Sequence, residues 1–214
     1  MIDAEFHPRI LIVEGSEDKY FVIRLRERSN LPDNFWILNK GGKDPLLQSI
    51  GAEADVEGRT ILGIVLDADD DPSDCWRKVT RELNSLRQEE HFDLPELPDQ
   101  PDPRGTIIEG RVRIGIWLMP NNRSPGELED LVADMIPDDD PVWPLSEQYI
   151  DGIPEKHRVF SLEKALKAKV HAWLATRKQP RPMGRAVQAR DLNVNVATAT
   201  AFADWLRELF KEMS

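Results

Sequence analysis

Apolar residues along the chain fall into short unbroken runs separated by longer amphipathic stretches. The run Arg9-Ile10-Leu11-Ile12-Val13 is rich in β-branched residues and has no polar alternation, the pattern of a strand buried on both faces. It ends at Glu14-Gly15-Ser16-Glu17-Asp18. Tyr20, Phe21, Ile23 and Leu25 then recur among charges at helical spacing. Phe35 to Leu38 predicts a second strand. Asn39-Lys40-Gly41-Gly42-Lys43-Asp44 follows, then a helix through Leu46, Leu47 and Ile50. Thr60 to Leu66 is a third buried strand, ending in Asp67-Ala68-Asp69-Asp70-Asp71-Pro72. Ser73 is placed to cap a helix from Asp74 to about Gln88. Strand–helix alternation of this kind predicts an α/β fold with a mostly parallel central sheet.

Pro95, Pro98, Pro101 and Pro103 mark a loop. Thr106–Glu109 and Arg111–Leu118 read as strands around Gly110, and Gly126–Ile136 has helical spacing. The acidic, proline-rich stretch from Pro137 to Pro144 breaks that helix. Ser161–Ala175 predicts another helix, with Ser161 and Lys164 on its exposed side. Pro180–Gly184 reads as a linker, and Thr198–Met213 as an amphipathic helix through Phe202, Trp205, Leu206, Leu209 and Phe210. The organisation is an α/β domain over residues 1–136 with a helical C-terminal extension, 137–214, packed on it. No internal repeat is present.

Composition narrows the class. With 40% apolar and 31% charged residues, the chain has a globular make-up. Its 28 Lys and Arg against 39 Asp and Glu give a net charge of −11. That argues against a protein that coats DNA through a basic surface. It leaves open nucleic acid approached through a bridging divalent cation. No apolar run nears the ~18 residues of a membrane span. Met1-Ile2-Asp3-Ala4-Glu5 is acidic and offers no apolar signal core. The single cysteine, Cys75, excludes an intramolecular disulfide and a Cys-rich zinc site. The expected compartment is the cytoplasm, away from membranes.

Two buried strands end in acid: Val13 runs into Glu14, and Leu66 into Asp67 and Asp69. Parallel strands place like ends on one edge, and the carboxyl-terminal edge is where α/β proteins put their ligands. Glu14, Asp67 and Asp69 are therefore expected to meet there. Unneutralised carboxylates repel, and a hard cation with oxygen ligands, Mg2+ or Mn2+, is the natural remedy. Asp18 joins them if the helix starts near Ser16.

Val13-Glu14-Gly15 with Asp18, followed by Leu66-Asp67-Ala68-Asp69, resembles the Toprim domain shared by topoisomerases, bacterial primases, OLD-family nucleases and recombination-repair proteins. The resemblance implies a compact Rossmann-like fold. It makes Glu14 the acid after the first strand, in a metal-binding or acid–base role. Asp67 and Asp69 become the metal-binding pair, with Asp71 extending the set. Gly41-Gly42-Lys43-Asp44, Met119-Pro120-Asn121, Gly126-Glu127-Leu128-Glu129-Asp130 and Lys167-Ala168-Lys169 before Trp173-Leu174 are similar to small stand-alone bacterial Toprim-like proteins related to the OLD nucleases. That likeness implies that Glu129 helps bind a second metal. It also implies that Lys43 or Lys167 assists with phosphate charge, and that a separate ATPase acts as partner.

Other motifs fail. Asp67–Asp71 begins like a calcium loop, but Pro72 and Lys78 stand where Gly and Glu are needed. A haloacid-dehalogenase-type site would put its Asp-x-Asp after the first strand, not the third. Ile64-Val65-Leu66-Asp67 has no phosphate loop to accompany it. His7, His91, His157 and His171 show no ligand-pair spacing, and Cys75 has no evident base. Only Tyr20 and Tyr149 are present, and 214 residues cannot supply a topoisomerase gate or the further domains of a primase. What remains is metal-assisted phosphodiester chemistry on DNA or RNA. The alternative is a metal-binding module without catalysis, for which Trp143 and Trp205 offer a partner surface when they are not core.

Overall fold

The computed structural model describes residues 6–87 and 93–212. Its centre is a five-stranded sheet built from β1 (Arg9–Val13), β2 (Trp36–Asn39), β3 (Ile61–Asp67), β4 (Thr106–Ile108) and β5 (Arg113–Met119), in the order β2-β1-β3-β5-β4. The first four in that order run parallel, and β4 closes one edge antiparallel to β5. Helices α1 (Ser16–Ser29), α2 (Lys43–Asp55) and α3 (Pro72–Leu86) connect the strands. Helices α4 (Leu128–Asp134), α5 (Trp143–Asp151), α6 (Ala165–Ala175), α7 (Met183–Ala189) and α8 (Ala197–Leu209) follow β5. No helix among the described residues is long and apolar enough to cross a membrane.

Side chains alternate across the sheet. Ile10 and Ile12 share one layer with Ile64, Ile116 and the α2 and α3 residues Ile50 and Val79. Leu11 and Val13 share the other with Val65, Trp117 and residues of α1, α4, α6, α7 and α8. Both faces are covered, which is why the strands lack polar positions. From β1 the chain steps one way to β2, then back past β1 to β3. Right-handed crossovers in opposite directions place their helices on opposite faces, and α1 and α2 do lie in opposite layers.

Two glycines in register let α8 lie close on the sheet. Gly63 pairs with Gly115 across β3 and β5. A Cβ at Gly115 would fall 2.4 Å from Leu209 Cδ2, and one at Gly63 would fall 2.5 Å from Leu11 Cδ1 and 3.1 Å from Leu209 Cδ2. Beside this trough Trp117, Phe202 and Trp205 pack as an aromatic cluster with ring centroids 5.1 to 5.8 Å apart. Trp205 is buried and so offers no partner surface, while Trp143 packs partly buried against the same core.

Prolines explain the largest differences from the sequence pattern. Pro144 lies in the first turn of α5, and Pro182 is the residue before α7. They start helices within stretches that read as a breaker and a linker, because the missing N–H costs nothing in a first turn. Likewise α3 starts at Pro72 and is capped by Asp71 rather than by Ser73. The helix expected over 161–175 begins as a tight 3-10 turn, Leu162–Lys164, and becomes α-helical at Ala165. The expectations for Met1–Glu5, the helix end at Gln88, His91 and the helix end at Met213 lie outside the described residues.

Candidate metal centre

β1 and β3 are neighbours, with Val13 opposite Val65, and the chain changes direction between them. Ligand crevices of open α/β sheets form at such switch points. Glu14 and Asp67 stand on either side, and the Asp67 backbone N–H donates to Glu14 Oε1 at 2.8 Å. Helix α1 begins two residues after Glu14. Asp18 folds back to accept the Gly15 N–H at 2.9 Å, closing the first turn. Asp67 Oδ1 in turn accepts the N–H of Leu128, the first residue of α4, at 3.0 Å.

Asp69 sits in the left-handed region at φ 51°, which Asp tolerates better than most residues. Its backbone exchanges hydrogen bonds of 3.0 and 2.7 Å with Gly126, tying the loop after β3 to the start of α4. The Gly41-Gly42 turn, with φ of 79° and 138°, needs glycine. It lets Gly42 N–H reach Glu14 O at 2.8 Å and swings Lys43 over the acidic loop. Lys43 Nζ donates to Asp67 O and to Asp69 Oδ2, both at 2.7 Å. Cys75 Sγ also reaches Asp67 O, at 3.3 Å. Burial pushes its thiol up to about 11, so it stays neutral.

The start of α4 supplies the other side. Lys167 Nζ bridges Glu127 Oε2 at 2.9 Å and Glu129 Oε1 at 3.0 Å. Lys164 pairs with Glu127 and lies 3.9 Å from Asp69 Oδ1. His171 Nε2 is 3.4 Å from Glu129. Glu14, Asp18, Asp67, Asp69, Glu129, Lys43 and Lys167 are thus gathered in one place. Asp71 is not: its Oδ1 accepts the N–H groups of Ser73 and Asp74 at 2.8 and 3.2 Å and is committed to capping α3. Three participants were missed in the sequence: Glu127, Lys164 and His171. The signal was there, since Lys164, Lys167 and His171 recur at one-face helical spacing.

The two sides differ in charge state. Burial, set against the Asp67 N–H and Lys43, lifts the Glu14 carboxyl to about 7. Burial together with Asp18, Glu14, Glu129 and Asp69 lifts Asp67 to about 8, and burial lifts Asp18 to about 6. Burial also pushes Glu129 upward, but hydrogen bonds from His171 and Lys167 outweigh it and hold that carboxyl below its ordinary value. Lys43 is raised: burial works against its charge, and Asp69 and Glu14 more than restore it.

A divalent cation fits this donor set. Each of Glu14 and Asp67 spends one oxygen on a backbone N–H, and among the described residues no protein donor reaches Glu14 Oε2 or Asp67 Oδ2. Free oxygens on carboxyls raised by burial and mutual repulsion are what a hard cation binds in place of protons. Among the described residues, no three His, Cys, Asp or Glu side chains already form a ready cage. Asp69, Glu127 and Glu129 are held instead by lysines.

Residues 8–211 match the model of a family described as a protein of unknown function, DUF3226, and the chain belongs to that family. No curated protein and no solved structure matches it.

Proposed function

We propose that the protein carries out Mg2+- or Mn2+-dependent phosphodiester chemistry on nucleic acid, as a cytoplasmic nuclease or nucleotidyl-transfer-type protein of Toprim kind that works beside a separate ATPase. One observation carries the reading. Glu14 and Asp67 flank the switch point, each with a free oxygen, and are raised to about 7 and about 8 where ordinary carboxyls are fully ionised. Glu14, Asp67 and Asp18 are the residues to hold a first cation. Asp69 and Glu129 join once Lys43 and Lys167 let go of them. When bound, the cation supplies Lewis-acid stabilisation of a phosphoryl oxygen and lowers the pKa of a water.

The chain's own groups do the rest. Lys43 fixes the loop after β3 through its 2.7 Å hydrogen bond to Asp67 O and, once Asp69 turns to the cation, keeps a positive charge beside the acids. Lys167, released from Glu127 and Glu129, is positioned to meet phosphate. With Asp67 and Asp18 holding the cation, Glu14 keeps an oxygen that no donor among the described residues reaches and is suited to take a proton from water.

The test is turnover of single- and double-stranded DNA and RNA with Mg2+ or Mn2+, for the wild type, Glu14→Gln and Asp67→Asn. Metal-dependent cleavage that both substitutions abolish is expected. One observation favours a second reading, a metal-binding module without catalysis: Lys43, Lys164 and Lys167 already neutralise Asp69, Glu127 and Glu129. A folded, metal-binding wild type that cleaves none of the substrates, with or without an ATPase partner, selects that reading.

A further inference from the structure

The net charge of −11 hides a strong internal polarity. From Lys156 to Arg190 the chain carries ten Lys and Arg and one acid, Glu163; the remainder carries 18 against 38. This segment is α6, α7 and their flanks. Some of its cations are spent internally, as Lys169 is on Asp151, Arg177 on Asp140 and Arg181 on Asp191. Lys156, Lys178, Arg185 and Arg190 are exposed and pair with no acid among the described residues.

Position gives the segment its meaning. Lys164 and Lys167, at the start of α6, lie on the carboxylates of the metal centre. At the start of α7, Met183 N–H donates to Glu17 Oε2 at 3.2 Å, in the first turn of α1 and beside Asp18. Gly184 lets α7 lie close on α1, since a Cβ there would fall 2.7 Å from Tyr20 O. The starts of α6 and α7 therefore both touch the rim of the centre. Around the turn into α7, Gln179, Arg181, Arg185 and Gln188 line an open groove.

We infer that the α6–α7 segment is a backbone-phosphate track for a nucleic-acid strand entering the metal centre. The inference rests on the proposed function and names the surface that delivers its substrate. Guanidinium and ammonium groups without acidic partners, interspersed with Gln amides, suit phosphate oxygens. They carry no base-reading geometry, so recognition follows charge rather than sequence. The acidic remainder of the surface confines a polyanion to this side.

The test uses the full chain with Ca2+ in place of Mg2+, and labelled oligonucleotides of about 20 residues, long enough for several phosphate contacts. Single-stranded DNA, its duplex and the matching RNA are titrated by fluorescence anisotropy at several salt concentrations. Lys178→Glu with Arg185→Glu, neither of which pairs with a carboxylate of the centre, is expected to weaken binding at least tenfold and to flatten the salt slope by roughly two. Its melting temperature and its shift with metal are expected to match the wild type. No wild-type binding to any of the three, binding unchanged in the double variant, or tighter binding to anionic phospholipid vesicles than to nucleic acid overturns the track. Binding through these residues without any cleavage leaves the track standing and overturns the catalytic reading alone.

Discussion

At the ends of β1 and β3, Glu14 and Asp67 are half-buried with no ion pair of their own among the described residues, and their carboxyls rise to about 7 and about 8. At the start of α4, Glu127 and Glu129 are more deeply buried, with side chains 10% and 6% exposed, yet Lys164 and Lys167 sit on them. Glu129 is held below its ordinary value. Burial is common to both halves, and the counter-charge decides the outcome. The strand half behaves as a site that wants a cation. The helix half behaves as one that already has a cation, lent by α6.

The largest expected effect breaks the strand half. Asp67→Asn removes a ligand charge from a nearly isosteric side chain and should lower metal-dependent turnover by at least about 100-fold, the scale for losing one transition-state electrostatic contact. Steady-state cleavage with circular dichroism as a fold control checks this. Glu129→Gln should cost turnover too, by less, if the helix half joins only after its lysine leaves.

Metal comes next. An ion that binds only the folded state at about 100 times its Kd stabilises by about 2.7 kcal/mol. Melting with Mg2+, Mn2+ and chelator should show that gain in the wild type and lose it in Asp67→Asn. An equal gain in both proteins would place the ion elsewhere.

The third effect is pH dependence, and it has opposite signs in the two halves. Carboxyls raised in the folded state contribute stability that is full below their unfolded pKa of about 4 and is lost as pH rises through about 6 to 8. Without metal, melting temperature should fall by several degrees across that window, and Asp67→Asn should flatten the fall. Glu129, lowered in the folded state, contributes stability present at neutral pH and lost in acid. Its variant Glu129→Gln should alter only the acid limb.

The smallest effect is Lys167→Ala. Lys167 is 45% exposed, so solvent screening limits the loss to about 1 kcal/mol or less. A denaturation double-mutant cycle with Glu129→Gln measures the coupling.

The strand half was legible in the sequence because each acid directly follows a buried strand, and parallel topology leaves such ends on one edge. Lys43 was named through the family likeness of Gly41-Gly42-Lys43-Asp44. The helix half was legible only in part. The family likeness pointed to Glu129 and Lys167, whereas Glu127, Lys164 and His171 were missed, because their meeting depends on α6 lying across α4, a contact between residues about 40 apart. Asp71 misled because its acid run looked continuous with Asp67 and Asp69. Pro72 starts a helix there and turns Asp71 into its cap. The basic segment was written plainly in the sequence but vanished in the sum over the whole chain.

The trough formed by Gly63 and Gly115 also sets an order of events during synthesis. The sheet face it belongs to is covered by Leu209, Trp205 and Phe202. A ribosome that has released β5 still has roughly 80 residues to make before α8 appears, several seconds at usual elongation rates. Through that interval Trp117 lacks the Phe202 and Trp205 rings that pack on it, and a newly made chain presents part of an apolar sheet face to its neighbours. Contacts so distant along the chain also slow closure. In a cell short of chaperone capacity, yield should therefore depend on how quickly α8 arrives. A synonymous slow-codon run placed between 140 and 195 should lower the folded fraction without changing a single contact.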